Sequence, residues 1–233
     1  GVGEHGRNCF YVEGNPSFIV DCGLMRGNEQ PYPHLTTEQI TNAKYLFITH
    51  SHEDHIGAFG WLIENGFSGT VIASAETIAE LKPIYLKVLK LPQTPRTIGL
   101  ERLSFEFGRS GHCIGSVWYK IITQQKTLLF SGDYSEKTCF NTDCIRGQDA
   151  DIAVLDCSYG FYEFVAEKQL LEIKNYVLEN IKSGSVLLPV PKNGRAFDFI
   201  MALRDIDYPI YIDDKLKKYI TAVTYNGYWL NKD

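Results

Sequence analysis

Several features that would place the chain in a special class of protein are missing from its sequence. No stretch of the 233 residues approaches the ~20 consecutive apolar residues of a membrane-spanning helix, so we expect no membrane partner. Acidic residues outnumber basic ones by 28 to 23, whereas proteins that coat nucleic acid are basic. These absences exclude an integral membrane protein and disfavour a general nucleic-acid coat, but they leave open an enzyme that binds nucleic acid locally.

Paired cysteines are also missing. The six cysteines are scattered, and none forms a Cys-x-x-Cys pair. A chain of this size can bury a full core and needs no disulfide framework. We therefore expect reduced thiols and a cytoplasmic protein, and a metal site, if there is one, must use ligands other than cysteine.

Short apolar runs alternate with turns and amphipathic stretches, which predicts an α/β protein whose sheets are covered by helices. The predicted strands are Cys9–Glu13, Phe18–Asp21, Tyr45–Thr49, Thr70–Ser74, Leu103–Phe107, Val117–Thr123, Thr127–Ser131 and Ile152–Leu155. The predicted helices are Thr37–Asn42, Ala58–Asn65, Ala75–Leu89, Lys168–Lys182, Ala196–Arg204 and Lys215–Tyr225.

A new strand-helix-strand pattern begins close to Ser183. It consists of the apolar run Val186–Val190, a helix after Gly194, and the run Pro209–Ile212. We therefore predict two units, one over residues 1–182 and the beginning of another over residues 183–233.

The densest group of candidate ligands follows the predicted strand Tyr45–Thr49. His50, His52, Asp54 and His55 place three imidazoles and a carboxylate within six residues. In an extended turn His50 and His52 point to the same side, and these ligand types suit zinc. Crowded imidazoles repel each other when charged, and a metal removes that cost by keeping them neutral. The pattern favours a metal site over a solvated histidine-rich loop.

Two further candidates lie at predicted strand ends. His112 is flanked by glycines in Ser110–Ser116, and Asp133 follows the run Thr127–Ser131 after Gly132. Each residue alone is more typical of a turn. Beside the first cluster, we expect both to bind metal.

In their order and at these strand ends, the residues resemble the motifs of the metallo-β-lactamase superfamily. The His-x-His-x-Asp-His motif is matched by His50, His52, Asp54 and His55. His112 matches the third metal motif, Asp133 the bridging carboxylate, and Asp21 the aspartate that closes an early strand. The resemblance implies an αββα sandwich with two metals at one edge of its sheets.

What the resemblance implies for the chemistry is a hydrolase. His50, His52 and His112 would hold one metal, Asp54 and His55 the other, and Asp133 would bridge them. The cofactor would be one or two Zn²⁺ ions, with Mn²⁺ or Fe²⁺ as alternatives, and it would generate hydroxide at neutral pH. Asp54 and Asp133 are the expected catalytic residues, and Asp21 is expected in a supporting role.

Later segments are similar to the β-CASP nuclease branch of that superfamily. Asp156, within Ala150–Gly160, stands at the branch's acidic position, and Gly194-Arg195 resembles its Gly-Arg turn. The resemblance implies a phosphodiesterase, most simply a ribonuclease, that acts on RNA or DNA, with RNA favoured; Asp156 would be in support and Arg195 is a candidate phosphate-binding residue. The alternatives are a thioester or lactone hydrolase like glyoxalase II and a degenerate, non-catalytic scaffold.

No histidine follows His112, although the branch carries later histidine motifs, one of which completes the second metal site. Two expectations account for this. The chain is a fragment that stops early in the β-CASP domain, or it is a short protein with an incomplete second site.

Overall fold

The structure is a computed structural model that describes residues 3–4, 6–81, 85–158, 160, 166–191, 193–225 and 227–231, with only the main chain at 222–225. Its strands form two five-stranded sheets. The first has the order β1 (Phe10–Val12), β2 (Ser17–Val20), β3 (Ala43–Phe47), β4 (Thr70–Ala73), β5 (Val88–Lys90). The second has the order β10 (Ile152–Val154), β9 (Thr127–Phe130), β8 (Val117–Thr123), β7 (Leu103–Arg109), β6 (Ile98–Leu100).

The helices in the described residues lie between and after these strands. They are α1 (Thr37–Asn42), α2 (Glu53–Ile56), α3 (Phe59–Glu64), α4 (Ala75–Glu80), α5 (Ala166–Asn180), α6 (Arg195–Leu203) and α7 (Asp214–Tyr225). Among the described residues, none of these helices combines the length and the apolar composition needed to cross a membrane.

Strand direction brings particular chain ends to the same edge of each sheet. β2, β3, β4 and β5 are parallel, so the residues that follow β2 and β3 lie side by side. In the second sheet β7 and β9 both pair antiparallel with β8, so they run in the same direction and also end at one edge. The site described below uses the chain directly after β2, β3, β7 and β9.

Aromatic rings fill the space between the two sheets. Phe47 of the first sheet makes edge contacts with Phe105 and Tyr119 of the second, with ring centroids 5.2 and 5.3 Å apart. The Tyr119 hydroxyl lies 3.0 Å from the carbonyl of Ile48 and 3.2 Å from that of Ile72, so this buried polar group is satisfied across the interface. The sandwich is thus held by ring packing and by a hydrogen bond at its centre.

A second apolar cluster covers the other face of the first sheet. Ile19, Leu46 and Val71 of this sheet pack with Ile40 of α1 and Leu62 of α3, and all five are fully or almost fully buried. Two facing sheets with helices outside form the α/β sandwich expected from the sequence. That fold prediction is confirmed.

Three details of the predicted secondary structure are wrong. The helix predicted over Ala75–Leu89 ends at Glu80, and β5 follows, because the sequence places Pro83 where a helix would need another N–H donor. The short strand β6 was not predicted. The runs Val186–Val190 and Pro209–Ile212 are not strands, because within the described residues no neighbouring strand pairs with them.

The last third of the chain packs onto the sandwich. Ala196 and Phe197 of α6, Leu216 of α7 and Trp229 belong to the same buried cluster as Phe105. Near the C-terminus the main chain forms an antiparallel bridge between Phe140 and Leu230. The boundary at residues 182/183 stays a prediction, since residues on both sides share this cluster.

An ion pair fastens the C-terminal segment. Asp143 accepts hydrogen bonds from the main chain and the guanidinium of Arg109, each 2.8 Å long. Arg109 also donates to the carbonyl of Tyr228 at 3.0 Å and lies 4.8 Å from the centre of the Tyr228 ring. Burial raises the pKa of Asp143, but the Arg109 hydrogen bonds outweigh it and hold the pKa below its ordinary value.

We expect Asp143→Asn to lower the free energy of unfolding at pH 7 by about 1–3 kcal/mol, because it removes a bidentate, charge-assisted bond. The folded-state pKa is depressed, so this contribution is present above the ordinary Asp pKa of about 4 and is lost as the pH falls through the folded value. Urea unfolding at pH 7 and pH 3 should therefore show a difference between variant and wild type that shrinks in acid.

Glu101→Gln is the matched control, because Glu101 pairs with Lys44 on the surface, where solvent screening leaves an ion pair with little effect on stability. A difference for Asp143→Asn that is as small as the control's at pH 7 would contradict the assigned role.

Candidate metal centre

The expected metal ligands lie at one edge of the sandwich, just beyond strand ends. Asp21 follows β2, His50 lies three residues after β3, His112 three residues after β7, and Asp133 three residues after β9. Parallel strands end at a common edge, so residues far apart in the chain meet there. The structure brings together all six residues that the sequence marks as metal ligands.

Main-chain hydrogen bonds fix the turn that carries Asp54 and His55. The N–H groups of Asn8, Cys22 and Leu24 donate to the carbonyls of Asp54, His55 and Glu53 at 2.7–3.0 Å. This close approach requires Gly23, because a Cβ there would lie 1.7 Å from the Asp54 carbonyl oxygen. The start of the turn is therefore held against the chain after β2.

Four side chains direct one ligand atom each to a common point. These atoms belong to His50, His52, His112 and Asp133, and all lie within 4.8 Å of one another. Nδ1 of His52 is 3.2 Å from Nε2 of His50 and 3.0 Å from Nε2 of His112. Oδ2 of Asp133 is 3.3 Å from the same His112 nitrogen. We call these four residues the first ligand group.

The second ligand group consists of Asp54, His55 and Asp133, so it shares Asp133 with the first. Oδ1 of Asp133 lies 3.2 Å from Nε2 of His55, and Oδ2 of Asp54 lies 3.6 Å from the same nitrogen. One carboxylate thus faces both groups, as a bridging ligand must.

Hydrogen bonds fix which nitrogen of His50 and which nitrogen of His55 carries a proton on the side away from the centre. Asp21 is buried, and its carboxylate accepts from the Thr49 N–H at 2.7 Å, the Thr49 hydroxyl at 2.9 Å and His55 Nδ1 at 2.8 Å. Because the Thr49 hydroxyl proton goes to Asp21, that oxygen accepts from His50 Nδ1, 3.1 Å away. His50 and His55 are therefore protonated on Nδ1, and each turns Nε2 toward the centre.

Ionisation also differs among the histidines. Burial lowers the pKa of His50 well below its ordinary value, with a further contribution from the neighbouring imidazoles, and burial lowers that of His112 to about 4. Both rings are neutral at pH 7 and have a lone pair to donate to a metal.

His55 and Asp133 behave differently, because they form an ion pair. Burial lowers the pKa of His55, but the carboxylates of Asp21 and Asp133 outweigh it and raise that pKa to about 10. Burial raises the pKa of Asp133, but His55 outweighs it and lowers the pKa to about 2. A cation bound at His55 Nε2 must displace a proton, so binding there is coupled to proton release.

The structure places the two remaining predicted residues close to the groups. The carboxylate of Asp156 accepts from the Tyr134 N–H at 3.3 Å and from the Ser158 N–H at 2.9 Å, so it organises the loops after β9 and β10. Arg195 is the first residue of α6. A Cβ on Gly194, just before it, would lie 3.3 Å from the His112 carbonyl and 3.9 Å from the His52 ring. The N-terminus of α6 therefore adjoins the first ligand group.

Sequence reasoning missed three residues that contact the ligands: Asn8, Thr49 and Asn193. The Asn8 amide nitrogen lies 3.3 Å from Asp54 Oδ2 and 3.0 Å from His55 Nε2. The Asn193 carbonyl lies 3.1 Å from Nε2 of His52. Thr49 could have been found because it directly precedes His50, whereas Asn8 and Asn193 carry no local signal and reach the site only through the fold.

Glu53, between the ligands in sequence, does not join them. It forms a surface ion pair with Arg26 at 2.5 Å and has a half-exposed side chain.

A cavity of about 620 Å³ lies next to Asp54, His55 and Asp133, with Asp156 and Ser158 in its wall. The second ligand group therefore faces space in which a substrate can lie.

The residues present fit a metal ion. Three imidazoles and a carboxylate converge, and burial keeps the rings of His50 and His112 neutral. Such a set of nitrogen and oxygen donors suits a divalent metal of borderline hardness.

We expect Asp21→Asn to weaken metal binding at the second ligand group by about 10–100-fold. The Asn oxygen would keep the bond from the Thr49 N–H, so its NH₂ group, which can only donate, would face His55 Nδ1. The one proton that His55 retains when a cation binds would then lie on Nε2 and face the centre, instead of on Nδ1. Zinc titration against a chelating dye measures this loss.

Asp198→Asn is the control, because Asp198 is another buried carboxylate that accepts a main-chain N–H, from Cys139 at 2.8 Å. No hydrogen bond or ion pair within the described residues joins Asp198 to a histidine. Equal metal affinities for Asp21→Asn and wild type would show that Asp21 does not set the His55 proton.

Comparison with known proteins identifies the family. The family model described as the metallo-beta-lactamase superfamily matches residues 2–153. The chain is 27% identical to a probable RNase from Methanocaldococcus jannaschii, over 90% of the chain and 57% of that protein. It is 24% identical to the transcription termination factor FttA of Methanothermobacter thermautotrophicus, over 100% of the chain and 44% of that protein.

A ribonuclease from Thermus thermophilus is 25% identical over 88% of the chain and 54% of that protein. The chain thus spans about half the length of these curated relatives. The recognition made from the sequence motifs is confirmed by these matches. With its ligand residues at the strand ends of a two-sheet sandwich, the chain belongs to the metallo-beta-lactamase superfamily.

Proposed function

We propose that the chain carries the metal-binding part of a hydrolase that cleaves phosphodiester bonds in RNA. The observation that carries the proposal is the pair of ligand groups that share Asp133. Bound metal ions would supply two things to such a reaction: they would lower the pKa of a bound water molecule towards neutrality, and they would polarise a phosphoryl oxygen. Zinc is the ion we favour, since three imidazoles form most of the first group, with Mn²⁺ and Fe²⁺ as alternatives.

The chain's own residues supply position and proton transfer. Asp54 lies beside His55 at the cavity, where its free carboxylate oxygen can hold a water molecule and accept its proton. Asp133 holds the two ligand groups at a fixed separation because each of its oxygens faces one group. Both acids act at the reacting atoms, so both are proposed as catalytic residues.

A phosphate group fits the charge around the centre. Arg195 opens α6 beside the first ligand group, and the N-terminus of a helix favours an anion. We propose that Arg195 contacts the phosphate next to the scissile bond. The names of the relatives, which include two RNases, support RNA over DNA as substrate.

The carboxylate of Asp156 holds the loops that border the cavity, because it accepts hydrogen bonds from the main-chain N–H groups of Tyr134 and Ser158. We propose that Asp156 supports the cavity wall rather than the chemistry. The cytoplasmic location stays a prediction, and the oligomeric state is left open by the sequence.

We expect the chain, loaded with zinc, to cleave single-stranded RNA and to leave a thioester substrate intact. Asp54→Asn should lower the cleavage rate by about 10²-fold or more, because a neutral amide cannot accept the water's proton. Glu53→Gln, one residue away, is the matched control and should retain the wild-type rate, because Glu53 forms a surface ion pair with Arg26.

Fluorescence of a quenched RNA strand, compared with a thioester assay, distinguishes the classes. Thioester turnover without RNA cleavage would favour the glyoxalase-II-like alternative. Metal binding with no turnover of either substrate would favour a non-catalytic scaffold.

We expect zinc to bind in two steps of different affinity. The first ligand group has three imidazoles and a carboxylate, whereas the second has one imidazole and two carboxylates, one of them shared. Fewer and harder ligands hold zinc less tightly. Calorimetric titration should show one tight and one weaker equivalent, and Asp54→Asn should weaken only the weaker one; two equivalents of equal affinity would contradict the ranking.

A further inference from the structure

Asn193 is buried between the two loops that carry the first ligand group, although it lies 141 residues after His52 in the chain. Its carbonyl oxygen is 3.1 Å from Nε2 of His52. A carbonyl can only accept, so His52 Nε2 must be the donor and carry the ring proton. The lone pair is then on Nδ1, the nitrogen that lies 3.2 and 3.0 Å from the His50 and His112 ligand atoms.

The side chain of Asn193 holds this carbonyl in place. Its Oδ1 accepts from the Ile114 N–H at 3.0 Å, and its Nδ2 donates to the Ile114 carbonyl at 3.2 Å. The two bonds form a clamp on the loop that also carries His112, two residues before Ile114. The amide group of Asn193 thus pairs with the main chain of Ile114 as a residue on a neighbouring β-strand would. This pairing restricts the main chain at Asn193.

A third contact joins the clamp to the His52 loop. Nδ2 of Asn193 also lies 3.4 Å from the Ser51 hydroxyl. The following residue, Gly194, has φ +103° and packs against the His112 carbonyl, so the chain can turn there into α6 without a Cβ in the way. One residue of the last third of the chain therefore contacts both loops of the first ligand group.

We propose that Asn193 is a positioning residue for the metal centre: its carbonyl sets the proton of His52, and its amide clamp on Ile114 fixes that carbonyl. His50 and His55 have their protons set by Asp21 and Thr49, which lie in the same sandwich. His52 has its proton set from the segment that enters α6. Metal affinity at the first ligand group then depends on the docking of that segment.

The proposal rests on the proposed metal centre but not on RNA as substrate, and a purely structural role makes a different prediction. If Asn193 only anchors its segment, its loss should lower stability and leave the metal ligands unchanged. Asn141 supplies the control, because its Nδ2 donates to the carbonyls of Tyr228 and Leu230 at 2.9 and 2.7 Å and anchors the same third of the chain. No hydrogen bond among the described residues joins the Asn141 side chain to a ligand.

The first measurement needs no substitution of an asparagine. Long-range ¹H–¹⁵N spectra of the imidazoles in the wild-type chain, without added metal and with His52 assigned by His52→Gln, should show the proton on Nε2. In Asn193→Ala the His52 signals should shift toward a mixture of both tautomers, while those of Asn141→Ala should match wild type. A wild-type His52 protonated on Nδ1 would overturn the proposal even if neither asparagine variant folds.

The second measurement titrates zinc ions alone against a chelating dye, with thermal unfolding recorded for each variant. Asn193→Ala should lower the affinity of the tight equivalent by about 10–100-fold. Asn141→Ala should lower the unfolding temperature and leave that affinity within about threefold of wild type. Equal affinities for Asn193→Ala and wild type, or equal losses in both variants, would overturn the proposal.

Failure of the proposed function is a separate result. A chain that shows the expected tautomers and zinc affinities but cleaves no RNA would retain the role of Asn193 and lose the ribonuclease assignment. A wild-type chain that binds no zinc would remove the metal centre, and the wild-type tautomer alone would then decide whether Asn193 sets the His52 proton.

Discussion

The placement of single protons on neighbouring imidazoles is the constraint on which the centre depends. A ring can donate to a metal only through the nitrogen that has no proton, so each proton must be held on the outward side. Asp21 holds it directly on His55 and, through Thr49, on His50. This explains why a carboxylate is buried at the end of β2: three hydrogen bonds offset the cost of removing it from water.

The sandwich makes this placement possible by rigid geometry. β2 and β3 are parallel neighbours, so Asp21 and Thr49 lie side by side beyond their ends. The Tyr119 hydroxyl of the second sheet donates to the carbonyl of Ile48, the residue before Thr49. A shift of one residue in this register would turn Thr49 to the other face and separate it from Asp21. Packing of Phe47 against Phe105 therefore helps to hold Thr49 beside Asp21, although the rings lie away from the metal centre.

The chain after residue 183 contributes to the same centre in a different way. None of its described residues joins the two ligand groups, but Asn193 and Gly194 touch the loops of His52 and His112, and α6 begins there. The segments that look like strands in sequence, Val186–Val190 and Pro209–Ile212, lie outside both sheets. Their role in the site is to deliver a turn, not to extend a sheet.

Motif spacing was enough to select the residues that the structure brings together, because His50 to His55 are adjacent in the chain and glycines or strand ends mark His112 and Asp133. Alternating apolar runs were enough for most strands and for the α/β class. The sequence alone could not reveal Asn8 or Asn193, or why the predicted strands after residue 183 stay unpaired. Strand pairing and the contact of Asn193 with His52 join residues that are distant in the chain, and only packing decides which distant residues meet. The residue types of the metal centre were thus determined locally, whereas the lone pairs of His52 and His55 were directed by the tertiary structure, because the groups that hold their protons, Asn193 and Asp21, come from distant parts of the chain.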